Sequence, residues 1–271
     1  MKISAFIPVF NEESRIKYAL TSLKWCDEII VLDKSSSDNT VKIAEKFGAK
    51  VFVINNTDCY NASECDFLFK ATGDWVLQFT ASDLMSPSLA KEIKRVIETL
   101  PSEINTLKLP FHQEVLGISD ERSPWGTAKW REMYKKDSLI IDYEGVHGAI
   151  SVLNKKVYCI DPKYGYMSHL THVSVDMMLA RHIRYWRTEG NSYNCTTLWP
   201  AFRHFLRSVK EIVKYRTLFM GWNGVAMAFA YVSYYMLSFL YCWEHFGKGA
   251  AELRYKKLRE DSIKEWDNYN C

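Results

Sequence analysis

Ile3-Ser4-Ala5-Phe6-Ile7-Pro8-Val9-Phe10-Asn11-Glu12-Glu13-Ser14-Arg15-Ile16 opens on a nearly continuous apolar run and breaks at Asn11-Glu12-Glu13-Ser14. It then continues as Ile16, Ala19, Leu20 and Leu23 at helical spacing. A short apolar run followed by a 3.6-residue period predicts a buried strand, a turn and a helix. The pattern repeats. Glu28 to Leu32 reads as a second strand, Asp33-Lys34-Ser35-Ser36-Ser37-Asp38-Asn39-Thr40 as a polar loop, and Val41 to Phe47 as a short helix closed by Gly48. Val51 to Ile54 is a third strand, Ala62 to Ala71 a helix, and Trp75 to Phe79 a fourth strand running into Thr80-Ala81-Ser82-Asp83. A helix follows Pro87 to about Leu100. Strands alternating with helices predict an α/β, doubly wound, mostly parallel sheet whose ligands gather at the carboxyl ends of the strands, where both polar loops lie.

The character changes beyond residue 104. Asn105 to Phe111 and Ser138 to Asp142 are strand-like, with aromatic or charged loops between them. His169 to Thr188 reads as a helix, which would set His169 and His172 on one side. Phe202, Phe205, Leu206, Val209, Ile212 and Val213 form an apolar stripe, with Arg203, Arg207, Lys210 and Lys214 along another face, a pattern suited to anionic lipid. Thr217 to Trp243 carries no charged residue, and Gly224 to Trp243 is long enough to cross a hydrocarbon core of roughly 30 Å. Interfacial insertion, spanning and burial as a core or dimer helix all fit that segment. The tail from Lys248 reads as a solvated helix.

Composition narrows the classes. With 271 residues, 48% of them hydrophobic, the chain can bury a substantial core. A net charge of +3, spread over a mixture of both signs, gives no compositional reason to expect a nucleic-acid partner. The seven cysteines are scattered and never form a C-x-x-C pair, which signals neither a disulfide framework nor a zinc site and fits a reducing cytosol. The apolar run at the amino terminus is too short for a secretory segment and reads as a buried strand.

Asp33 and Glu12, each following a strand, are placed to accept hydrogen bonds from base and ribose donors of a nucleotide. Acids at helix starts also commonly satisfy free amides, and spacing alone does not separate the two roles. Arg131 offers a guanidinium fork suited to phosphate, or to an ordinary surface ion pair.

Three ordered motifs carry a resemblance: Ile7-Pro8-Val9-Phe10-Asn11-Glu12-Glu13, Cys26-Asp27-Glu28-Ile29-Ile30-Val31-Leu32-Asp33, and Ser35-Ser36-Ser37-Asp38-Asn39-Thr40. They resemble the opening of the family 2 glycosyltransferases. Lys70-Ala71-Thr72-Gly73-Asp74-Trp75-Val76 resembles the segment that leads to that family's metal motif. His169 through Tyr185, with Phe219-Met220-Gly221-Trp222-Asn223-Gly224, resembles its lipopolysaccharide-core branch. The resemblance implies a GT-A fold, Rossmann-like, with a helical, membrane-associated C-terminal region. It further implies a UDP-sugar donor, an inverting transfer of a hexose, glucose favoured, and an acceptor in lipopolysaccharide, lipooligosaccharide or capsule assembly. On this alignment Pro8, Asn11, Glu12, Asp33, Ser35, Asp38, Ser82, Asp83 and Arg131 are the donor-binding candidates.

The sequence departs from the family twice. Thr80-Ala81-Ser82-Asp83 stands where Asp-x-Asp is usual, leaving one carboxylate to share Mn²⁺ or Mg²⁺ with the diphosphate, with His172 as a second candidate ligand. Asp142-Tyr143-Glu144-Gly145-Val146-His147-Gly148 stands where Val-His-Glu is common, so Glu144, Asp142 or His147 is the candidate general base. No Gly-rich phosphate loop supports a nucleotidyltransferase. The missing acids leave a non-catalytic nucleotide-sugar or glycan-binding protein, or a membrane adaptor, as the alternative. The expected organisation is a nucleotide-sugar half at 1–103, an acceptor-side part at 104–190 and a helical membrane-associating region at 191–271. The expected partners are a UDP-sugar, a lipid-linked or membrane-embedded glycan and the cytoplasmic face of a membrane; oligomeric state is left open.

Overall fold

A computed structural model describes residues 1–55, 66–127, 130–141, 150–192, 198–247, 250–267 and 269. The chain divides into two compact units, Met1–Met178 and Leu179–Cys271.

The first unit is a nine-stranded sheet in the order β3-β2-β1-β4-β7-β6-β11-β5, with β10 also paired to β6. Its strands are β1 (Ile3–Val9), β2 (Glu28–Asp33), β3 (Lys50–Val53), β4 (Trp75–Gln78), β5 (Asp83–Met85), β6 (Thr106–Val115), β7 (Trp130–Lys135), β10 (Val157–Cys159) and β11 (Met167–Thr171). A separate pair is formed by β8 (Leu139–Ile141) and β9 (Ile150–Val152). β3, β2, β1 and β4 are mutually parallel, whereas β7 runs antiparallel to both of its neighbours. Ile3, Ala5, Ile7 and Val9 of β1 face one buried cluster and Phe6 faces another. That two-sided burial is why the strand reads as a continuous apolar run. The first cluster is closed by α1 (Ile16–Ser22) and α3 (Pro87–Thr99). The second is closed by Leu68, in the 3₁₀ turn Asp66–Lys70, and by Leu139.

Local chemistry sets the helix ends. After α2 (Thr40–Lys46), Gly48 takes φ +76°, its N–H reaches Glu45 O and that of Ala49 reaches Ala44 O, the paired closure of a Schellman cap. Ser86 caps α3 by accepting the Leu89 amide at 3.4 Å, with Pro87 in the first turn. The sequence places a helix over His169 to Thr188, but residues Met167–Thr171 are strand β11 and the helix, α4, spans Val175–Ser192. Parallel pairing with β6 and antiparallel pairing with β5 override the helical periodicity there.

In the second unit, α5 (Trp199–Lys214) and α6 (Trp222–Phe246) pack against one another. Tyr231 donates to Glu211 Oε2 at 2.5 Å, and Phe202 meets Phe239 edge-on. His182 and Trp186 of α4 lie against Tyr234, and Trp186 also against Tyr241. α7 (Ala250–Asp267) has no buried residue. Only 17% of the most apolar window of α6 is buried, which removes the core-helix reading within this chain.

Candidate active site

The adjacent parallel strands β1 and β2 end in turns of the same kind. Asn11 takes φ +51° and Ser35 φ +59°, each two residues beyond its strand. Asparagine enters the left-handed region readily; serine does so at a cost of about 1 kcal/mol. The two loops are laced together. The Asn11 amide donates to Ser36 Oγ (2.8 Å) and Ser37 N–H to Asn11 Oδ1 (2.8 Å), while the Glu12 amide reaches Thr40 Oγ1 (2.7 Å) and the Glu13 amide Asp38 Oδ2 (3.1 Å).

Asp33, the last residue of β2 and 1% exposed, accepts from the Ser36 amide at 2.9 Å and from its hydroxyl at 2.5 Å. Asp38 accepts from the Thr40 amide and hydroxyl. Burial opposes its charge, but these bonds and the one from Glu13 outweigh that and hold its carboxyl below the ordinary carboxylate value. Ser35 Oγ donates to Ile54 O at 2.8 Å. Pro8 sits opposite Leu32 in the β1–β2 register.

A brace that sequence reasoning missed connects the first loop to the segment after β4. Arg15 grips Glu12 through Nε (2.7 Å) and Nη2 (2.6 Å) and donates from Nη1 to Ser82 Oγ at 3.0 Å. The i,i+3 spacing of Glu12 and Arg15 was visible in the sequence; the contact 67 residues on was not.

Asp83, also 1% exposed, accepts from the Thr80 amide at 2.7 Å and lies 2.7 Å from His169 Nδ1. The antiparallel register His169↔Asp83 between β11 and β5 creates that pair. The His169 and Phe111 ring centroids are 6.0 Å apart, and the Arg131 guanidinium lies over the Phe111 ring, 4.6 Å from its centroid. Arg131 Nε is enclosed with no hydrogen-bond partner among the described residues. His172, one residue past β11, is buried at φ +55° and its carbonyl accepts from Leu116; the structure sets His169, not His172, against Asp83. Glu144, Asp142 and His147 fall at 142–149, outside the described residues.

Among the described residues no three His, Cys, Asp or Glu side chains group as a metal cage. Asp83 and His169 supply one hard oxygen and one imidazole, which fits a cation that takes its remaining ligands from substrate phosphates. A cation there would neutralise charge on a leaving diphosphate.

A Rossmann-like, mostly parallel sheet with buried carboxylates at the ends of β2 and at the head of β5 is the GT-A architecture. The sequence signature described as Glycosyl transferase family 2 matches residues 4–158, more than half of the chain, and the protein belongs to that family. An uncharacterised glycosyltransferase of Rickettsia conorii is 43% identical over 96 residues, 35% of this chain and 34% of that one. The chain thus spans about a third of the length of such curated relatives. An uncharacterised glycosyltransferase of Mycoplasma pneumoniae is 24% identical over 213 residues, covering 72% of this chain and 69% of its own. The crystal structure of S. aureus TarS 1–349 in complex with UDP-GlcNAc superposes with a TM-score of 0.51 at 15% identity, covering 90% of this chain and 91% of that one, a likeness of fold.

Proposed function

We propose that this protein transfers a sugar, a glucose-like hexose, from a UDP-sugar to a lipid-linked glycan of lipopolysaccharide, lipooligosaccharide or capsule type, working at the cytoplasmic face of a membrane. The observation that carries the reading is the convergence of Asp33, the Arg15-held Glu12 and the Asp83–His169 pair at the carboxyl ends of the sheet. In this reading Asp33 accepts from the uracil, the laced Asn11–Ser36 loops close on the ribose, and Arg131 turns its unpartnered Nε to the diphosphate. Asp83 and His169 hold a divalent cation, Mn²⁺ or Mg²⁺. A base on 142–149, Glu144, Asp142 or His147, takes the proton of the acceptor hydroxyl. The hydroxyl oxygen bonds to C1 of the sugar as the bond from C1 to the diphosphate oxygen breaks, which inverts the anomeric centre and releases UDP.

Calorimetric titration with UDP and UDP-sugars, with and without Mn²⁺, tests this. Micromolar UDP binding that weakens at least tenfold in Asp33→Ala, and metal dependence lost in Asp83→Ala, is the expected result. Absence of binding to any nucleotide would overturn the transferase reading.

A further inference from the structure

We infer that the α5–α6 hairpin docks flat onto an anionic bilayer leaflet, with α6 lying in the interface and not crossing it. The inference deepens the membrane part of the function proposed above and stands apart from its donor chemistry.

α6 has 25 residues, about 37 Å of helix at 1.5 Å per residue, so length alone permits a span. Its partner forbids one. α5 runs antiparallel along the middle of α6: Glu211 is bound to Tyr231, His204 stacks on Tyr235 at 6.4 Å between centroids, and Phe202 meets Phe239 at 6.0 Å. Were α6 to cross the bilayer, α5 would enter beside it and carry Arg203, Arg207, Lys210, Glu211 and Lys214 to the depth of its centre, where ionised side chains are strongly disfavoured.

An in-plane orientation accounts for the exposed apolar strip and the cationic flank of the hairpin together. α4 covers one side of α6 through His182 and Trp186. The exposed residues Trp222, Phe229, Met236, Leu240 and Trp243 recur on the side away from α4 at spacings that keep one helical face. On α5 the buried stripe of Ala201, Ser208 and Ile212 faces α6, and Phe202, Leu206, Val209 and Val213 form an exposed apolar strip beside it. Antiparallel pairing turns that strip to the same side as the exposed face of α6. The connection between the helices adds Leu218 and Phe219, and Trp222 at its end is 87% exposed. Arg203, Lys210 and Lys214 lie beyond the apolar strip, along the flank, at the level of headgroups when the apolar face is immersed. This charge complementarity selects acidic lipid as the occupant over a second copy of the chain, which would bring the same cationic flank with it.

The test is co-sedimentation of the full chain with vesicles of phosphatidylcholine alone and with phosphatidylglycerol added. Binding at least tenfold tighter to the acidic vesicles, released by high salt or alkaline carbonate, is expected. Arg203→Glu/Lys210→Glu/Lys214→Glu and, separately, Phe219→Glu/Phe229→Glu are each expected to lower it at least tenfold with circular dichroism unchanged. Retention after carbonate extraction would overturn the inference in favour of a span. Equal binding to both vesicle types, or no vesicle binding with a dimer by light scattering that Phe229→Glu dissolves, would overturn it as well. UDP titration of the same variants reports on the transferase reading separately, since vesicle binding requires no nucleotide.

Discussion

Replacing Arg15 by methionine removes the brace between the first loop and Ser82 while keeping most of the side-chain volume. Three hydrogen bonds disappear, two of them to the Glu12 carboxylate at 2.6 and 2.7 Å. Both members of the ion pair are about four-fifths buried, so it exceeds the value of an exposed pair. Bonds to charged groups contribute about 1.5–3 kcal/mol net, and a loss of about 2 kcal/mol is expected here. For a unit of this size that lowers Tm by about 4–8 °C, readable by calorimetry. Ser82→Ala removes a single bond and is expected to cost about 1 kcal/mol. Because Ser82 loses its partner in either variant, the double variant should fall short of the sum by about 0.5 kcal/mol or more. Arg15→Lys keeps the charge without the fork and should lie between wild type and Arg15→Met. In UDP titrations the loosened Glu12 loop should weaken affinity about tenfold. A melting temperature for Arg15→Met within 1 °C of wild type, with strict additivity to Ser82→Ala, would refute the brace.

Three further outcomes follow from groups away from the carboxyl ends of the strands. Burial opposes the charge of Glu28, but Lys50, the Ser4 hydroxyl and Thr72 outweigh it and pull its pKa down to about 2 from the ordinary 4.5. Its stabilisation is therefore complete above pH 4.5 and lost as pH falls towards 2; Glu28→Gln should cost about 2 kcal/mol at pH 7, allowing for the 57% exposure of Lys50, and flatten the acid limb of the Tm profile. Burial against aromatic rings pulls His182 down to about 4, so the unfolded chain takes up a proton first as pH falls below 6.5; stability drops between pH 6.5 and 4, and a melt of His182→Phe should lack that slope. A Cβ on Gly73 would lie 2.7 Å from Ser4 Oγ and 2.8 Å from the Ser4 backbone nitrogen, so Gly73→Ala should lose about 1–3 kcal/mol in denaturant titration, and a neutral result would show that β1 gives way.

The first half of the sheet was legible because its signals are local. Runs such as Ile3 to Val9 and the helical spacing of Ile16, Ala19 and Leu20 need no distant partner to be recognised, and the Gly48 cap and the Pro87 start fell where their chemistry predicts. β5, β7 and β11 were not legible. They are short or mixed in polarity, and only their pairing makes them strands: β7 with β4 and β6, β11 with β6, and β5 with β11. The same applies to the candidate site: Asp33 and Glu12 announce themselves beside their strands, but Asp83 and His169 are 86 residues apart and meet through the sheet register alone. The exposed face of α6 was likewise invisible, since composition reports apolarity and not which side a neighbour covers.

β4 and β5 are consecutive in the chain yet stand four places apart in the strand order. In a flat sheet they would be about 19 Å apart, near the reach of the short link between them. That link is folded into a turn, with Asp83 N–H donating to Thr80 O and Thr80 N–H to the Asp83 carboxylate. The sheet must curl until its fourth and eighth strands nearly meet, and residues 79–82 act as the clasp of a bracelet. One residue inserted or removed at 79–82 would slide Asp83 out of step with His169.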